Sequence, residues 1–108
     1  MKPFFSVIIP TLNEELFLPN ILQDFKKQKV KNFEIIVVDA KSIDKTRKIV
    51  ESFKQSLKIK LFLSNKKNVS YQKNLGAKNA KGKYLLFIDA DSRVKNKFIK
   101  LLKKKCIF

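Results

Sequence analysis

The chain has 108 residues, enough for one modest hydrophobic core, so we expect a single domain spanning residues 1–108. Its 25 basic and 9 acidic residues give a formal charge of +16, while a 44% hydrophobic content with ten Phe excludes a disordered chain. The single cysteine excludes an intramolecular disulfide, and no apolar run reaches membrane-spanning length, so we expect a cytoplasmic domain, at most peripheral at the inner face of a membrane.

The chain begins with a predicted strand and helix. Phe4–Ile9 is apolar and rich in β-formers, and Pro10 is expected to end this strand. Apolar residues then recur at helical spacing to about Gln28. Asn13 is a good N-cap for this helix, and Pro19 is expected to lie in its first turn.

Two further strands flank a second helix. Phe33–Val38 is the second predicted strand, and it ends at Asp39. Asp44 can cap a following helix, whose apolar residues are Ile49, Val50 and Phe53. Ile59–Leu63 is the third predicted strand.

The last part of the chain predicts a helix, a strand and a short helix. The first helix runs from about Val69 to Ala80. Tyr84–Ile88 is an uninterrupted apolar run, which predicts a strand buried on both faces. Asp89 and Asp91 follow this run at once. Because burial of an unpaired carboxylate is costly, we expect both to lie where the strand leaves the core. The final helix carries Phe98, Ile99, Leu101 and Leu102.

The order β-α-β-α-β-α-β-α predicts an α/β fold with a doubly wound, mostly parallel sheet. Ligands of such sheets bind beyond the carboxyl ends of the strands. The polar residues expected at that edge are Thr11, Asn13, Glu14, Asp39, Ser42, Asp44, Asp89 and Asp91. Asp89 and Asp91 suit Mg²⁺ or Mn²⁺ together with the phosphates of a ligand.

Phosphate recognition here cannot use a glycine-rich loop. The only glycines are Gly76 and Gly82, so phosphate must be held through a metal, lysines or helix N-termini. Asp39 can accept hydrogen bonds from a base N–H or a ribose hydroxyl. These groups together suggest a nucleoside-diphosphate site, although each polar residue taken alone could equally cap a helix or form a turn.

Four motifs, at the ends of the strands and in the third helix, resemble in their order and spacing the donor-binding half of family 2 glycosyltransferases with the GT-A fold. Ser6–Glu15 is similar to that family's opening strand and its P-T-x-N-E signature. Ile36–Thr46 resembles V-V-D-x-x-S-x-D-x-T. Gln72–Gly82 resembles Q-x-N-x-G-A-x-x-A-x-G, and Leu85–Asp91 resembles L-L-F-x-D-A-D. The resemblance covers about residues 4–93.

The resemblance implies a role for individual residues. Those expected to line the base and ribose of a nucleotide-sugar, with UDP-sugars favoured, are Pro10, Thr11, Asn13, Glu14 and Asp39. Further implied nucleotide contacts are Ser42, Lys73 and Asn74. Asp91 would ligate Mg²⁺ or Mn²⁺ at the diphosphate, and Asp89 would contact the ribose or the metal. The implied reaction is inverting transfer of the sugar to an unknown acceptor, with an Asp or Glu base.

Two departures from the family pattern bear on function. Where many relatives carry Arg before the third motif, this chain has Asn68–Ser70, so Lys67 or Lys73 would supply the charge. No candidate for the catalytic base follows Asp91. We therefore expect a domain truncated before the acceptor half, which binds nucleotide weakly and transfers little alone. A partner chain could supply that half, with a lipid-linked or polysaccharide acceptor at a membrane surface.

Two alternative functions compete with this interpretation. Haloacid-dehalogenase-like phosphatases also end a buried strand in D-x-D, but that motif usually opens the domain, and here fewer than twenty residues follow it. A basic module that binds nucleic acid or an anionic membrane would explain the charge. Nucleic acid is disfavoured, because the aromatic residues are mostly Phe within predicted strands and do not interleave with basic residues on a surface.

Overall fold

A computed structural model describes residues 2–106, so both ends of the expected 1–108 domain lie outside the described residues. The eight predicted elements are present in the predicted order, β1 Phe5–Thr11, α1 Leu18–Lys26, β2 Phe33–Asp39, α2 Thr46–Ser52, β3 Ile59–Leu63, α3 Val69–Lys78, β4 Tyr84–Phe87 and α4 Phe98–Lys105. Over this described range, no helix is both long enough and apolar enough to cross a membrane.

All four strands belong to one parallel sheet in the order β3-β2-β1-β4. The two central strands, β1 and β2, are buried along their whole length. Their register pairs Phe5 with Phe33 and Thr11 with Asp39, so their carboxyl ends lie side by side. The predicted α/β fold with a parallel sheet is confirmed.

Helices cover both faces of the sheet. Leu22 of α1, Val50 of α2 and Ile99 of α4 pack in the larger apolar core on one face. Leu75 of α3 packs on the other face, against a smaller core that contains Ile8. The even-numbered side chains of β1 therefore point to α3 and the odd-numbered ones to the larger core, as the alternation of a strand requires.

The prediction that β4 is buried on both faces is wrong. β4 is an edge strand that pairs only with β1, and Leu85 and Phe87 are 44% and 45% exposed. They flank Ser6 and Ile8 in the register, on the α3 side of the sheet. Because α3 lies over β1 and β2, it leaves the corresponding side of β4 open. An apolar run therefore indicated a strand correctly but not its position in the sheet.

Two boundary predictions for β1 and α1 are also wrong. Pro10 does not end β1, which continues to Thr11. The Ile8 carbonyl accepts a hydrogen bond from the Ile88 amide, on the edge of β1 that pairs with β4. The backbone nitrogen of Pro10 lies on the same edge, beyond the last paired residue of β4. Its missing N–H therefore costs the sheet no hydrogen bond. Asn13 does not cap α1, because the helix begins only at Leu18. Pro19 does lie in the first turn, as predicted.

The segment before α4 is fastened to α1 through one buried carboxylate. Arg93 donates two hydrogen bonds to Asp24, at 2.7 and 3.0 Å, and the Val94 amide donates a third at 3.1 Å. The hydrogen bond from Arg93 is the main reason that the pKa of Asp24 lies below its usual value of 3.8. The ionised carboxylate is therefore part of what stabilises the packing of α4.

Asp24→Asn is expected to lower the free energy of unfolding by about 1–2 kcal/mol at neutral pH, since hydrogen bonds to a charged group are lost. Because the folded state lowers the pKa of Asp24, this stabilisation is complete above the unfolded pKa and disappears as the pH falls through the folded one. Urea unfolding at pH 7 and near pH 2 measures it. Glu51→Gln, at an exposed ion pair with Lys54, is the matched control and should change little. An equal loss for Asp24→Asn at both pH values would contradict this account.

Candidate functional site

A small cavity of about 120 Å³ opens at the carboxyl edge of the sheet. Three of its residues were predicted for the site, and the full lining is Pro10, Thr11, Leu12, Glu14, Lys67, Val69 and Gln72. The end of β1 therefore forms one wall and the start of α3 the other. The cavity holds one lysine and one carboxylate, so it is polar on both sides.

Asp39 lies beside this cavity as a buried hub and is 0% exposed. Its Oδ1 accepts hydrogen bonds from the hydroxyls of Thr11, at 2.7 Å, and Ser42, at 2.5 Å. Its Oδ2 accepts the Ser42 amide at 2.8 Å and lies 3.9 Å from Nε of Arg47. In this structure Asp39 thus joins the ends of β1 and β2, and its direct contact with a base or ribose stays a prediction.

Ser42, Asp44 and Thr46 hold the loop that follows β1. Their side chains accept the amides of three consecutive residues, Asn13 at 2.8 Å, Glu15 at 3.1 Å and Glu14 at 2.8 Å, respectively. The spacing S-x-D-x-T thus matches the spacing of three adjacent backbone donors. Buried backbone amides need such partners, so the motif determines the shape of the loop.

The loop after β1 also accepts a hydrogen bond from the segment that follows β2. Asn13 has a positive φ of 53° and accepts the Ile43 amide at 2.9 Å through its side chain, which explains why it does not cap α1. Asp44 also accepts the amide of Thr46, the first residue of α2, at 2.9 Å, but the N-cap position that was predicted for it is occupied by Lys45. Burial alone would raise the pKa of Asp44, but hydrogen bonds from Thr46 and Glu15 hold it below its usual value.

Glu14 faces a concentration of negative charge. Burial raises its pKa above 4.5, and the carboxylates of Asp91, Asp44 and Asp89 raise it further. Asp89 and Asp91 themselves are exposed, directly after β4. In a chain of charge +16, this is an electronegative edge that suits a cation.

The exposed carboxylates fit a cation that shares its ligands with phosphate. Among residues 2–106, no group of three or more His, Cys, Asp or Glu side chains is arranged to hold a metal by itself. Mg²⁺ characteristically needs only one or two carboxylates, the remaining ligands being water and substrate phosphates. Asp89 and Asp91 provide that number of oxygen-bearing groups at a solvent-exposed position.

Gln72 holds the two central strands together at this edge. It is 3% exposed, and its amide donates to the carbonyls of Thr11, at 3.0 Å, and Val38, at 2.9 Å. The same contacts anchor the start of α3 over the cavity. Sequence reasoning included Gln72 in a motif but gave it no role, because a glutamine clamp between strands has no local sequence signal.

Gln72→Ala should lower the free energy of unfolding by about 2 kcal/mol, since a buried donor between two carbonyls is lost and a small cavity is left. Gln72→Glu should cost at least as much, because its carboxylate would face the carbonyl oxygens of Thr11 and Val38. Asn79→Ala is the matched control, since that amide bonds only Leu75 within α3. Chemical denaturation measures all three, and equal losses for Gln72→Ala and Asn79→Ala would contradict the clamp.

The remaining predicted residues lie apart from the cavity. Lys73 places its Nζ 5.8 Å from the ring centroid of Phe87, towards β4, and Asn74 is exposed on α3. Neither lines the cavity. Of the two lysines considered for the missing Arg, the structure brings Lys67 to the cavity. Leu12 and Val69, which also line it, were not predicted, because isolated apolar residues in loops carry no functional pattern.

The parallel sheet, its order and the polar edge define an α/β domain of the class that binds ligands beyond the carboxyl ends of its strands. The sequence profile of glycosyl transferase family 2 matches residues 6–106, so the chain belongs to that family. This membership decides against the phosphatase alternative.

Individual relatives agree with this family. The poly(ribitol-phosphate) β-N-acetylglucosaminyltransferase TarS of Staphylococcus aureus is 34% identical over 100 residues, which cover 89% of this chain and 18% of TarS. The crystal structure of TarS residues 1–349 with UDP-GlcNAc has a TM-score of 0.86 and 33% identity, covering 96% of this chain and 30% of that one. The present chain thus spans less than a third of these relatives.

A second solved structure was determined with a metal. It is the mannosyltransferase PcManGT of Pyrobaculum calidifontis in complex with GDP-Man and Mn²⁺. It has a TM-score of 0.78 and 25% identity, and the match covers 86% of this chain and 29% of PcManGT.

Proposed function

We propose that this domain binds a nucleoside-diphosphate sugar, with UDP-sugars favoured, for inverting transfer of the sugar to an acceptor. The observation that carries the proposal is that Asp89 and Asp91 follow β4 at the carboxyl edge of the parallel sheet, the edge at which Glu14 and Lys67 line a cavity. This edge offers cation ligands next to a lysine that can meet phosphate. The nucleotide-sugar complexes of TarS and PcManGT support the same substrate class.

Each part of the edge has a distinct task in this proposal. Pro10, Thr11, Asn13 and Glu14 line the base and ribose, while the buried Asp39 and Ser42 organise that wall behind the nucleotide. Lys67, Lys73 and Asn74 are on the side of the diphosphate and sugar.

Asp91, with Asp89, would hold Mg²⁺ or Mn²⁺. When bound, that ion neutralises the charge that develops on the leaving diphosphate. Mn²⁺ in the PcManGT complex supports this assignment.

The acceptor and its activation would come from outside these residues. Between Asp91 and Phe108 the sequence has no Asp or Glu, so these residues contribute no catalytic base of that kind. In this proposal residues 1–108 supply the donor site. We place it in the cytoplasm, with a lipid-linked or polysaccharide acceptor at a membrane surface.

Isothermal titration of UDP into the protein, with and without Mn²⁺, tests the proposal. Weak binding that requires the metal is expected, with GDP, CDP and ADP as comparisons for the base. Circular dichroism first establishes that the sample is folded. Failure of all four diphosphates to bind a folded sample in the presence of Mn²⁺ or Mg²⁺ would contradict the proposal.

A further inference from the structure

One side of α4 carries lysines around a single exposed leucine. Lys100, Leu101 and Lys104 lie at helical spacings and therefore share one side of the helix, and Lys97 immediately precedes the helix as its N-cap residue. All four are exposed, and Leu101 is 54% exposed. The opposite side is held in the core by Ile99, which is fully buried. The lysine-rich side of α4 thus faces outward from a firmly packed helix.

The end of α1 extends this basic surface. Lys27 and Lys29 line an open groove of about 400 Å³ together with Lys97 and Lys100, and none of the residues that line it is acidic. The two helices are tied together here, because Gln28 accepts the Ile99 amide at 3.1 Å and donates to the Lys95 carbonyl at 2.8 Å. We name this surface the α1–α4 basic face, consisting of Lys27, Lys29, Lys97, Lys100, Leu101 and Lys104.

Acidic residues compensate lysines elsewhere but not on this face. Asp24, the one acid in α1 or α4, is occupied by Arg93, as described above. Lys54 pairs with Glu51 and Lys60 with Glu34, both away from this face. Within residues 2–106, none of the lysines of the α1–α4 basic face forms a salt bridge. Asp24 and Lys27 attract each other, but no acidic residue of α1 or α4 neutralises the other lysines of the face.

Lys31 occupies the free backbone carbonyl groups at the end of α1, which would otherwise be available to the lysines of this face. Its ammonium group donates to the carbonyls of Phe25, Lys26 and Gln28, the acceptors at the carboxyl end of α1. Burial lowers the pKa of Lys31, as expected for an ammonium turned inward. Lys27 and Lys29 are exposed to solvent beside it.

We infer that the α1–α4 basic face docks on an anionic lipid surface. Lysines spread over α4 and the segment that follows α1 suit diffuse attraction to a charged plane, whereas tight recognition of a single phosphate favours the planar fork of arginine. The one arginine nearby, Arg93, is engaged by Asp24. Leu101 at the centre adds an apolar contact of the kind that interfacial helices make with lipid. No aromatic side chain belongs to the face, which disfavours single-stranded nucleic acid.

This docking is independent of the proposed nucleotide site. α4 ends beside the first residue of β4, where the Tyr84 hydroxyl donates to the Cys106 carbonyl. The candidate site lies at the opposite, carboxyl edge of the sheet, after Thr11 and Asp39. A membrane contact at the α1–α4 basic face consequently leaves that edge uncovered.

Sedimentation with vesicles tests the inference on the full chain. Binding is expected to equimolar phosphatidylglycerol and phosphatidylcholine at low salt, not to phosphatidylcholine alone, and it should fall as salt rises. The triple variant Lys29→Gln, Lys100→Gln and Lys104→Gln should bind on the order of a hundredfold more weakly, at about fivefold per lysine. Leu101→Ser should weaken binding less.

The matched control removes the same charge from other exposed lysines, Lys48, Lys78 and Lys81, again by glutamine. It should keep vesicle binding within about a few fold of the wild type, because those lysines lie outside the docking face. Equal losses in the two triple variants, both folded by circular dichroism, would overturn the inference in favour of net charge alone. So would absence of vesicle binding, or tighter binding to duplex DNA than to vesicles.

Discussion

Asp91→Asn is expected to abolish the Mn²⁺-dependent part of UDP binding while leaving the fold intact. Asparagine keeps the shape of the side chain but removes the negative charge that a hard cation requires. Changes to residues that only orient metal ligands already cost about 10–100-fold in metal affinity, so loss of a ligand itself should cost about a hundredfold or more. Because Asp91 is exposed, the free energy of unfolding should change by less than about 0.5 kcal/mol.

Titration of UDP with and without Mn²⁺ measures this effect, and Glu51→Gln is its control. That variant removes the same charge from an exposed residue on α2 and should bind UDP as the wild type does. A second readout is the pKa of Glu14, followed by NMR, which should fall in Asp91→Asn because a nearby negative charge disappears. Unchanged metal-dependent affinity together with a lowered Glu14 pKa would mean that Asp91 faces the site without binding the metal.

The order of helices and strands was predictable because each element has a strong local pattern. β1 and β2 are runs of branched and aromatic residues, and Leu18, Ile21, Leu22 and Phe25 recur at the spacing of one buried helix face. Alternation of the two patterns then implies parallel pairing. These features depend on neighbouring residues only, which is why one sequence sufficed for them.

The position of β4 was not predictable for the opposite reason. Its residues Tyr84–Phe87 are as apolar as those of a central strand, yet burial depends on what α3 covers. That coverage follows from Gly76, whose missing side chain lets α3 approach Ile8 and Val38 in the two central strands. The exposure of β4 therefore depends on how α3 packs on the sheet, and the sequence of β4 alone does not reveal it.

The candidate site likewise has a part that the sequence predicted and a part that it did not. The polar residues after β1, β2 and β4 were predicted to meet at one edge, and the hydrogen bonds of Thr11 and Asp39 and the influence of Asp91 on Glu14 show that they do. What was missed is how they are held. Gln72 reaches carbonyls 34 and 61 residues away in sequence, a relation that only the folded chain reveals.

Gly82→Ala should be the more destabilising of the two glycine-to-alanine changes that this chain offers. A Cβ at Gly82 would lie 2.6 Å from the Ser6 amide nitrogen and 2.7 Å from the Phe5 carbonyl carbon, which are backbone atoms of the central strand β1. Side chains can rotate away from such a contact, but β1 is hydrogen-bonded on both sides and cannot. We expect a loss of about 3 kcal/mol or more in the free energy of unfolding, a large fraction of the 5–15 kcal/mol typical of a domain.

The same substitution also breaks a buried network. The Gly82 amide donates to the Ser6 hydroxyl at 2.7 Å, and that hydroxyl donates to Glu34 at 2.6 Å. Glu34 is fully buried and also accepts the Lys81 amide at 2.7 Å. Burial alone would raise the pKa of Glu34, and these hydrogen bonds, with Lys60 and Lys58, keep it low, so displacing Ser6 leaves a buried charge poorly compensated.

Thermal unfolding of Gly82→Ala with two alanine controls isolates the backbone clash. Lys81→Ala, at the exposed neighbour, should be nearly neutral. Gly76→Ala meets chiefly the end of the Ile8 side chain, at 2.6 Å, which can shift, so it should cost about 1–2 kcal/mol. A 3 kcal/mol loss at Gly82 corresponds to a midpoint lower by roughly 10–20 °C. If Gly82→Ala melted as Gly76→Ala does, the backbone of β1 would have to move as readily as the Ile8 side chain, which would contradict this account.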